Sequence, residues 1–160
     1  MARIRELIEI DIPEALEILS YNDPRLEQNR EEITRTLHLA LGRGLLYGAE
    51  EESHLAGFVY FLAEPIFAQG GYIRLLAVRP EKQRRGIGRQ LMGYVERRVF
   101  GRASSIYVCI LETNGPAQRF YERLGYSKVG ELTDLNGGGH REWILGKAGS
   151  HAPRRGGGRP

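Results

Sequence analysis

Cysteine is nearly absent from the chain, since Cys109 is the only one among 160 residues. A single thiol cannot form a disulfide within the chain, and it cannot by itself build a thiolate metal site. The four histidines, at positions 38, 54, 140 and 151, lack the His-Glu-x-x-His spacing of zinc hydrolases. We therefore expect a protein of a reducing compartment that works without a metal.

Long hydrophobic runs are missing as well. The longest apolar stretch, residues 56–63, is far shorter than the ~20 residues that a membrane-spanning helix requires. The N-terminal residues 1–7 alternate charged and apolar side chains, which is not the pattern of a secretory signal. These two absences predict a cytoplasmic protein with no membrane partner.

Excess positive charge is confined to the C-terminal end. The net charge is +3, but residues 147–160 contain four basic side chains and no acidic one, which leaves 19 basic against 20 acidic residues elsewhere. Such a segment cannot bury enough apolar area to offset its ordering entropy, so we expect a disordered basic tail over 147–160. The tail could bind RNA weakly, but so few charges make nucleic acid an unlikely main partner.

The remaining residues, 1–146, are expected to form one domain, because 160 residues support a single core of ordinary composition. Alternating and helical hydrophobic periodicities predict its elements. The predicted strands cover 3–9, 45–50, 55–62, 72–78, 106–111, 126–132 and 142–145, and the predicted helices cover 12–19, 24–41, 87–99 and 116–124.

The most informative stretch covers residues 78–89, where a strand end leads through a glycine-rich turn into a helix. Unpaired N–H groups at a helix N-terminus favour an anion, and Gly86 and Gly88 let phosphate oxygens approach the main chain. Arg84, Arg85 and Arg89 add positive charge. The stretch therefore predicts a phosphate site, although a tight strand-to-helix turn alone would also explain the glycines.

Two common phosphate motifs do not fit the chain. A P-loop needs Ser or Thr after Gly-Lys, but Gly146 and Lys147 are followed by Ala148. A dinucleotide-binding fingerprint would place a third glycine where Leu91 stands and an acidic residue where Ile106 stands. Neither an NTPase nor a Rossmann-type site is predicted.

Residues 77–88, read as Ala-Val-x-Pro-x-x-Gln-Arg-Arg-Gly-Ile-Gly, resemble motif A of the GNAT superfamily of acyl-CoA-dependent N-acetyltransferases. Residues 114–126 are similar to its motif B, Asn-x-x-Ala-x-x-Phe-Tyr-x-x-x-Gly-Phe/Tyr. The resemblance extends to individual residues over 72–132 and only to the arrangement of predicted elements over 1–71. It implies an α/β (α+β) single domain with a mixed, mostly antiparallel sheet of about seven strands flanked by about four helices.

The resemblance also implies a coenzyme A site, with acetyl-CoA as co-substrate. Main-chain N–H groups of residues 84–89 would hold the pyrophosphate, and the strand at Leu76 would splay from the strand at Val108 to admit the pantetheine arm. Asn114 would contact the same arm or cap the following helix. The implied cofactor-binding residues are Leu76, Ala77, Val78, Gln83, Arg84, Arg85, Gly86, Ile87, Gly88, Arg89, Asn114, Ala117 and Tyr121.

Tyr121 is the catalytic residue that the resemblance implies, as the acid that protonates the departing thiolate. Because Tyr121 lies on an apolar helix face, a purely structural role stays open. Many relatives carry a Glu as the base, whereas the matching positions here hold Tyr72, Arg74 and Cys109. Glu112, Glu64 or a chain of waters are the alternatives for the base. Cys109 is expected to be buried and protonated, which disfavours a covalent route.

The implied activity is transfer of an acetyl group from acetyl-CoA to a primary amine by direct attack. A catalytically silent coenzyme A-binding regulatory module and an RNA-binding domain are the alternatives. No recognisable pattern identifies the acceptor. The walls of its binding site would come from the first two helices and the segments 64–67 and 134–140, and these resemble no acceptor signature. A protein N-terminus, a lysine, a polyamine and an antibiotic amine stay open, as do a monomer and a homodimer.

Overall fold

The computed structural model describes residues 1–22, 24–67, 69–133 and 138–150. The segment 134–137 of the expected acceptor loop lies outside the described residues, and so does the expected tail from residue 151 onward. The described elements are β1 (Arg3–Glu6), α1 (Ile12–Asn22), α2 (Arg30–Gly42), β2 (Leu46–Glu51), β3 (His54–Phe67), β4 (Gly70–Val78), α3 (Ile87–Val99), β5 (Ser105–Leu111), α4 (Gly115–Arg123), β6 (Ser127–Thr133) and β7 (Arg141–Ala148).

The strands form a seven-stranded sheet in the order β1-β2-β3-β4-β5-β7-β6. The pairs β1/β2, β2/β3, β5/β7 and β6/β7 are antiparallel. With four α-helices in the described residues, this confirms the expected α/β class and its approximate number of elements. The chain forms two compact units, one from residues 1–62 and 73–98, the other from 63–72 and the described residues from 99 onward.

Helix α1 and strands β2 and β3 supply most of the core of the first unit. Positions 12, 15, 18 and 19 of α1 follow helical spacing on one face, and all four side chains are buried. They join one apolar cluster with Leu37 of α2, Leu46 of β2, Phe58 of β3 and Ala77 of β4. The cluster contains both β3 and β4, so it supports the strand that leads into the glycine-rich turn.

The predicted helix over 24–41 is wrong in its first part. Residues Pro24–Asn29 form a 3-10 segment, and α2 begins only at Arg30. Asn29 has φ −121° and ψ 23°, which is outside the α-helical region. Because Asn competes for local backbone hydrogen bonds, it favours helix boundaries over helix interiors. Leu26 lies seven positions before Ile33, so the helical spacing of apolar residues continued across this boundary and concealed it.

The last strand is longer than the four residues predicted from the sequence. Strand β7 continues to Ala148, which pairs with Ser105 of β5, and Lys147 pairs with Ile106. Pairing with β5 satisfies the backbone groups of residues 146–148 even though their side chains carry little hydrophobic signal. Residues 147 and 148 therefore belong to the sheet, two positions beyond the boundary expected for the domain.

A charged side chain is buried in the first unit. Asp11 is 6% exposed and accepts two hydrogen bonds from the Arg5 guanidinium, at 2.8 and 2.9 Å. The Ile8 N–H also donates to Asp11, and the Arg5 Nε donates to Glu50. The bonds from Arg5 lower the pKa of Asp11 below its ordinary range. This pair ties the turn before α1 to β1 and β2.

Asp11→Asn is expected to reduce the free energy of unfolding by about 1–3 kcal/mol at neutral pH, because the charge facing Arg5 is lost. In the wild type, this contribution is fully present above the unfolded-state pKa of about 4 and is lost as the pH falls through the lower folded-state value. Urea unfolding measured at a series of pH values from about 7 to about 2 checks this. A difference between wild type and variant that stays constant over that range would contradict the assignment.

Candidate functional site

The turn between β4 and α3 has the backbone geometry of an anion site. Arg84 and Gly86 have φ values of +60° and +85°, and α3 begins at Ile87. The Gln90 N–H donates to the Gly86 carbonyl at 2.9 Å, so the N–H groups of residues 87–89 precede the helical hydrogen-bond ladder. A Cβ at Gly86 would meet no atom within 4 Å, which shows open space beside the turn. The turn can therefore receive an anion at its main chain.

The cations of this segment fall into two groups. Arg84, Arg85 and Arg89 are exposed, and in the part of the chain that the structure describes no carboxylate pairs with them within 4 Å. Arg79 and Lys82, by contrast, form ion pairs with glutamates at 2.7–3.1 Å. Arg84, Arg85 and Arg89 add positive charge to the turn, which favours a doubly charged anion such as a diphosphate.

Gln83 stabilises the turn through hydrogen bonds of its side chain. Its Nε2 donates to the Val78 carbonyl at 3.2 Å and to the Asn22 Oδ1 at 3.4 Å, while the Asn22 Nδ2 donates to the same carbonyl at 3.1 Å. The carbonyl of Val78 therefore already accepts two hydrogen bonds. Main-chain pairing of Val78 with a ligand at that oxygen would have to replace one of them.

The other predicted residues of the first unit differ in the exposure of their side chains. Ile87 and Ala77 have buried side chains that belong to the core, with 2% and 3% exposure. Leu76 and Gly88 are half-buried. The side chains of Ile87 and Ala77 are therefore not accessible to a ligand, and any contact of these two residues with one would have to use the main chain.

In the second unit, Asn114 caps α4. Its Oδ1 accepts a hydrogen bond from the Ala117 N–H at 3.1 Å, and Pro116 occupies the first turn. This is the capping role that the sequence left open beside a ligand contact. The side-chain amide group of Asn114 is not needed for the cap and can still donate to a ligand.

Tyr121 is buried on α4, with 4% exposure. Its ring packs edge-to-face against Phe120 and Tyr126, with centroids 5.1 and 5.3 Å away. Burial, and to a smaller extent Tyr72, raises the pKa of the Tyr121 phenol well above its ordinary range. The hydroxyl is therefore a neutral proton donor at physiological pH, while the ring also has the structural role that the apolar helix face suggested.

The groups considered for a base or a nucleophile have different surroundings. Glu64 pairs with Arg102, and Glu112 is exposed just beyond β5. Cys109 is half-buried, so the expectation that it is buried was wrong. Side chains alternate between the two faces of a strand, and Val108 and Ile110 take the buried face of β5.

Candidate metal sites and membrane-spanning helices are both lacking in the described residues. No group of three or more His, Cys, Asp or Glu side chains among them could hold a metal ion. None of the helices described combines the length and apolar character needed to cross a membrane.

Sequence reasoning missed the residues that hold the turn in place. Arg79 and Glu14 are 65 positions apart, and Asn22 is 56 positions from Val78. No periodicity or local motif marks such pairs, because each partner alone reads as an ordinary surface side chain. A charged residue directly after a strand that precedes a phosphate-type turn is the only signal that could have drawn attention to Arg79.

Comparisons with known proteins identify a family. Residues 4–126 match the family model described as "Acetyltransferase (GNAT) family". The peptidyl-lysine N-acetyltransferase YiaC of Escherichia coli (strain K12) is 28% identical over 134 residues, covering 79% of this chain and 84% of that protein.

Solved structures show the same fold. The ribosomal-protein-S18-alanine N-acetyltransferase from Escherichia coli superposes with a TM-score of 0.69 at 20% identity, covering 95% of this chain and 99% of that one. The paiA N-acetyltransferase from Thermoplasma acidophilum, solved in complex with coenzyme A, has a TM-score of 0.74 at 20% identity. That match covers 93% of this chain and 99% of the other.

Proposed function

Because the chain belongs to the GNAT family of acetyltransferases and is thus an acyltransferase, we propose that it transfers the acetyl group of acetyl-CoA to a primary amine by direct attack. The observation that carries the proposal is the turn before α3, where left-handed backbone at Arg84 and Gly86 coincides with three unpaired arginines. A diphosphate is the part of acetyl-CoA that such a turn recognises.

The residues present fit coenzyme A. The N–H groups of residues 84–89 and the side chains of Arg84, Arg85 and Arg89 would hold its diphosphate. The main chain of β4 from Leu76 to Val78 would bind the pantetheine arm as an added strand, and a β4 N–H would polarise the thioester carbonyl. Asn114, Ala117 and Tyr121 complete the proposed set of contacts.

The proposed chemistry is a single displacement. A neutral amine attacks the thioester carbonyl, and the β4 N–H stabilises the negative charge that develops on the carbonyl oxygen as the C–N bond forms. The C–S bond then breaks as the carbonyl double bond re-forms. Tyr121 gives its phenolic proton to the departing sulfur. The proton that the amine loses goes to Glu112, to Glu64 or to a water chain. For Glu64, the ion pair with Arg102 would first have to open.

The acceptor is proposed only as a primary amine, on a protein or on a small molecule. The named relatives act on a peptidyl lysine and on the alanine of a ribosomal protein. A panel of acceptors should therefore contain a lysine peptide, a peptide with a free N-terminal alanine, a polyamine and an aminoglycoside. Release of free thiol from acetyl-CoA in the presence of each amine identifies the class.

Replacing both turn arginines, Arg84→Gln with Arg85→Gln, is expected to weaken acetyl-CoA binding by about 10–100-fold. Two charge-assisted contacts to a diphosphate are lost, whereas the fold is not affected because both side chains are exposed. Titration calorimetry measures the change. Arg97→Gln, which removes an exposed charge from the other end of α3, is the matched control and should bind like the wild type.

Three results would separate the possibilities. A folded wild-type protein that gives no heat with acetyl-CoA would refute the proposed cofactor. Binding without thiol release for every amine in the panel would indicate a silent regulatory module. Unchanged affinity in the double arginine variant would refute the proposed contribution of the Arg84 and Arg85 side chains to diphosphate binding.

A further inference from the structure

Arg79 lies at the junction of β4 and the turn, and its side-chain hydrogen bonds go to α1 and to β3. Its guanidinium donates from Nη2 to Glu14 at 2.7 Å and to Glu17 at 3.1 Å, and from Nε to the Leu55 carbonyl at 2.7 Å. Its main-chain N–H donates to the Ala56 carbonyl at 2.8 Å. A single residue therefore joins the start of the turn to α1 and to β3.

The acceptors around Arg79 are themselves organised. The Glu14 carboxylate accepts the Leu55 N–H at 3.1 Å in addition to the Arg79 guanidinium. Glu14 and the Leu55 carbonyl thus form a fixed receptor into which the planar guanidinium fits with two donors. The Arg79 side chain is 14% exposed, so these bonds are shielded from competition by water.

Lys82 makes a second attachment in the same segment. Its ammonium group pairs with Glu51 of β2 at 2.9 Å. Arg79 and Lys82 line a cavity of about 760 Å³ together with five glutamates, namely Glu14, Glu17, Glu51, Glu52 and Glu81. These carboxylates repel one another. Among the described residues that line this cavity, Lys82 and His54 would be the only basic ones left after the loss of Arg79.

These contacts distinguish Arg79 from the other arginines of the segment. Its charge faces two carboxylates, whereas Arg84 and Arg85 have no carboxylate within 4 Å in the described residues. A cation that is already compensated twice adds little attraction for a further anion. The role of Arg79 must therefore lie in holding the chain in place. Residues 80–86 follow it directly, and one 3-10 turn is the only regular secondary structure among them.

We propose that Arg79 is a positioning residue for the acetyl-CoA diphosphate: by binding Glu14 and the Leu55 carbonyl, it holds the turn so that the N–H groups of residues 84–89 converge on the ligand. The inference rests on the proposed function. A shift of about 1 Å in such a turn lengthens several N–H contacts at once, so the effect on affinity exceeds that of one surface ion pair.

The test compares donors with and without the diphosphate. Arg79→Met is expected to raise the KM for acetyl-CoA by about tenfold or more and to change kcat at saturation less than about threefold. With S-acetylpantetheine, which lacks the diphosphate, kcat/KM should change less than about threefold. Arg79→Lys should lie between wild type and Arg79→Met, because an ammonium group cannot reproduce the two-donor fit.

Arg5→Met is the matched control, because Arg5 is another half-buried arginine that bonds two carboxylates but lies outside the turn. It is expected to lower the melting temperature without changing the KM ratio between the two donors. Glu14→Gln should reproduce the effect of Arg79→Met, and the double variant should be no worse than the single ones. Glu14→Gln can therefore replace Arg79→Met in this test if the latter variant folds poorly.

The outcomes are distinct. Equal losses for acetyl-CoA and S-acetylpantetheine, or no loss for either, would overturn the positioning role of Arg79. Additive effects of Glu14→Gln and Arg79→Met would also overturn it. A folded wild-type protein that neither binds nor uses acetyl-CoA would instead overturn the proposed function.

Discussion

Tyr121→Phe is expected to lower kcat by about 10²–10⁴-fold, the usual contribution of a positioned general acid, while the KM for acetyl-CoA changes little. The substitution removes one oxygen and retains the ring, so the edge-to-face contacts with Phe120 and Tyr126 persist. The thiolate then leaves without a proton donor. Steady-state release of thiol with the best amine of the panel measures the effect.

The pH dependence of kcat gives an independent readout. Burial raises the pKa of Tyr121, so the phenol stays protonated to higher pH than an exposed tyrosine. In the wild type we expect no loss of the acid below about pH 10, the ordinary tyrosine value. A decline of kcat that sets in near pH 8–9 and disappears in Tyr121→Phe would contradict this assignment.

Tyr126→Phe is the matched control for this variant. Tyr126 is equally buried, at 3%, and contacts Tyr121 directly, but the proposed chemistry does not use its hydroxyl. Its kcat is expected to remain within about threefold of the wild type. A Tyr121→Phe enzyme that keeps more than about a third of wild-type kcat would leave Tyr121 with a packing role only.

Phe58→Ala is expected to reduce the free energy of unfolding by about 3–5 kcal/mol. Phe58 has no exposed surface and lies in the apolar cluster of α1, α2, β2, β3 and β4. Its truncation removes buried area and leaves a cavity that the surrounding backbone cannot fill completely. Since whole domains are stable by only about 5–15 kcal/mol, the variant should unfold at a much lower urea concentration.

Two controls make this measurement specific. Phe58→Leu retains most of the buried volume and should lose clearly less stability than Phe58→Ala. Leu39→Ala truncates an apolar side chain that is 66% exposed and should change stability by less than about 0.5 kcal/mol. A loss below about 1 kcal/mol for Phe58→Ala would show that the core collapses around the missing ring.

Periodicity and turn chemistry predicted most of the elements because they act over a few neighbouring residues. The helix over 12–19 and the start of α3 at Ile87 followed from local patterns, and the cap of α4 by Asn114 was one of two roles that the sequence left open. The break at Asn29 was missed because Leu26 keeps helical spacing with Ile33 of α2. The last residues of β7 were missed because pairing with β5, a partner distant in sequence, extends that strand.

The site divides in the same way. Its proposed anion-binding turn and its two motifs are contiguous stretches, so the amino-acid order alone identified the family resemblance and the phosphate-type turn. Only the folded structure shows three further features of the site. These are the contact of Arg79 with Glu14, the hydrogen bonds of Gln83 and Asn22 to the Val78 carbonyl, and the half-burial of Cys109. The physical reason is the distance along the sequence over which each interaction acts. Helix spacing, capping and turn conformation depend on residues that are at most about ten positions apart. Ion pairs and burial depend on which strands become neighbours in the folded chain.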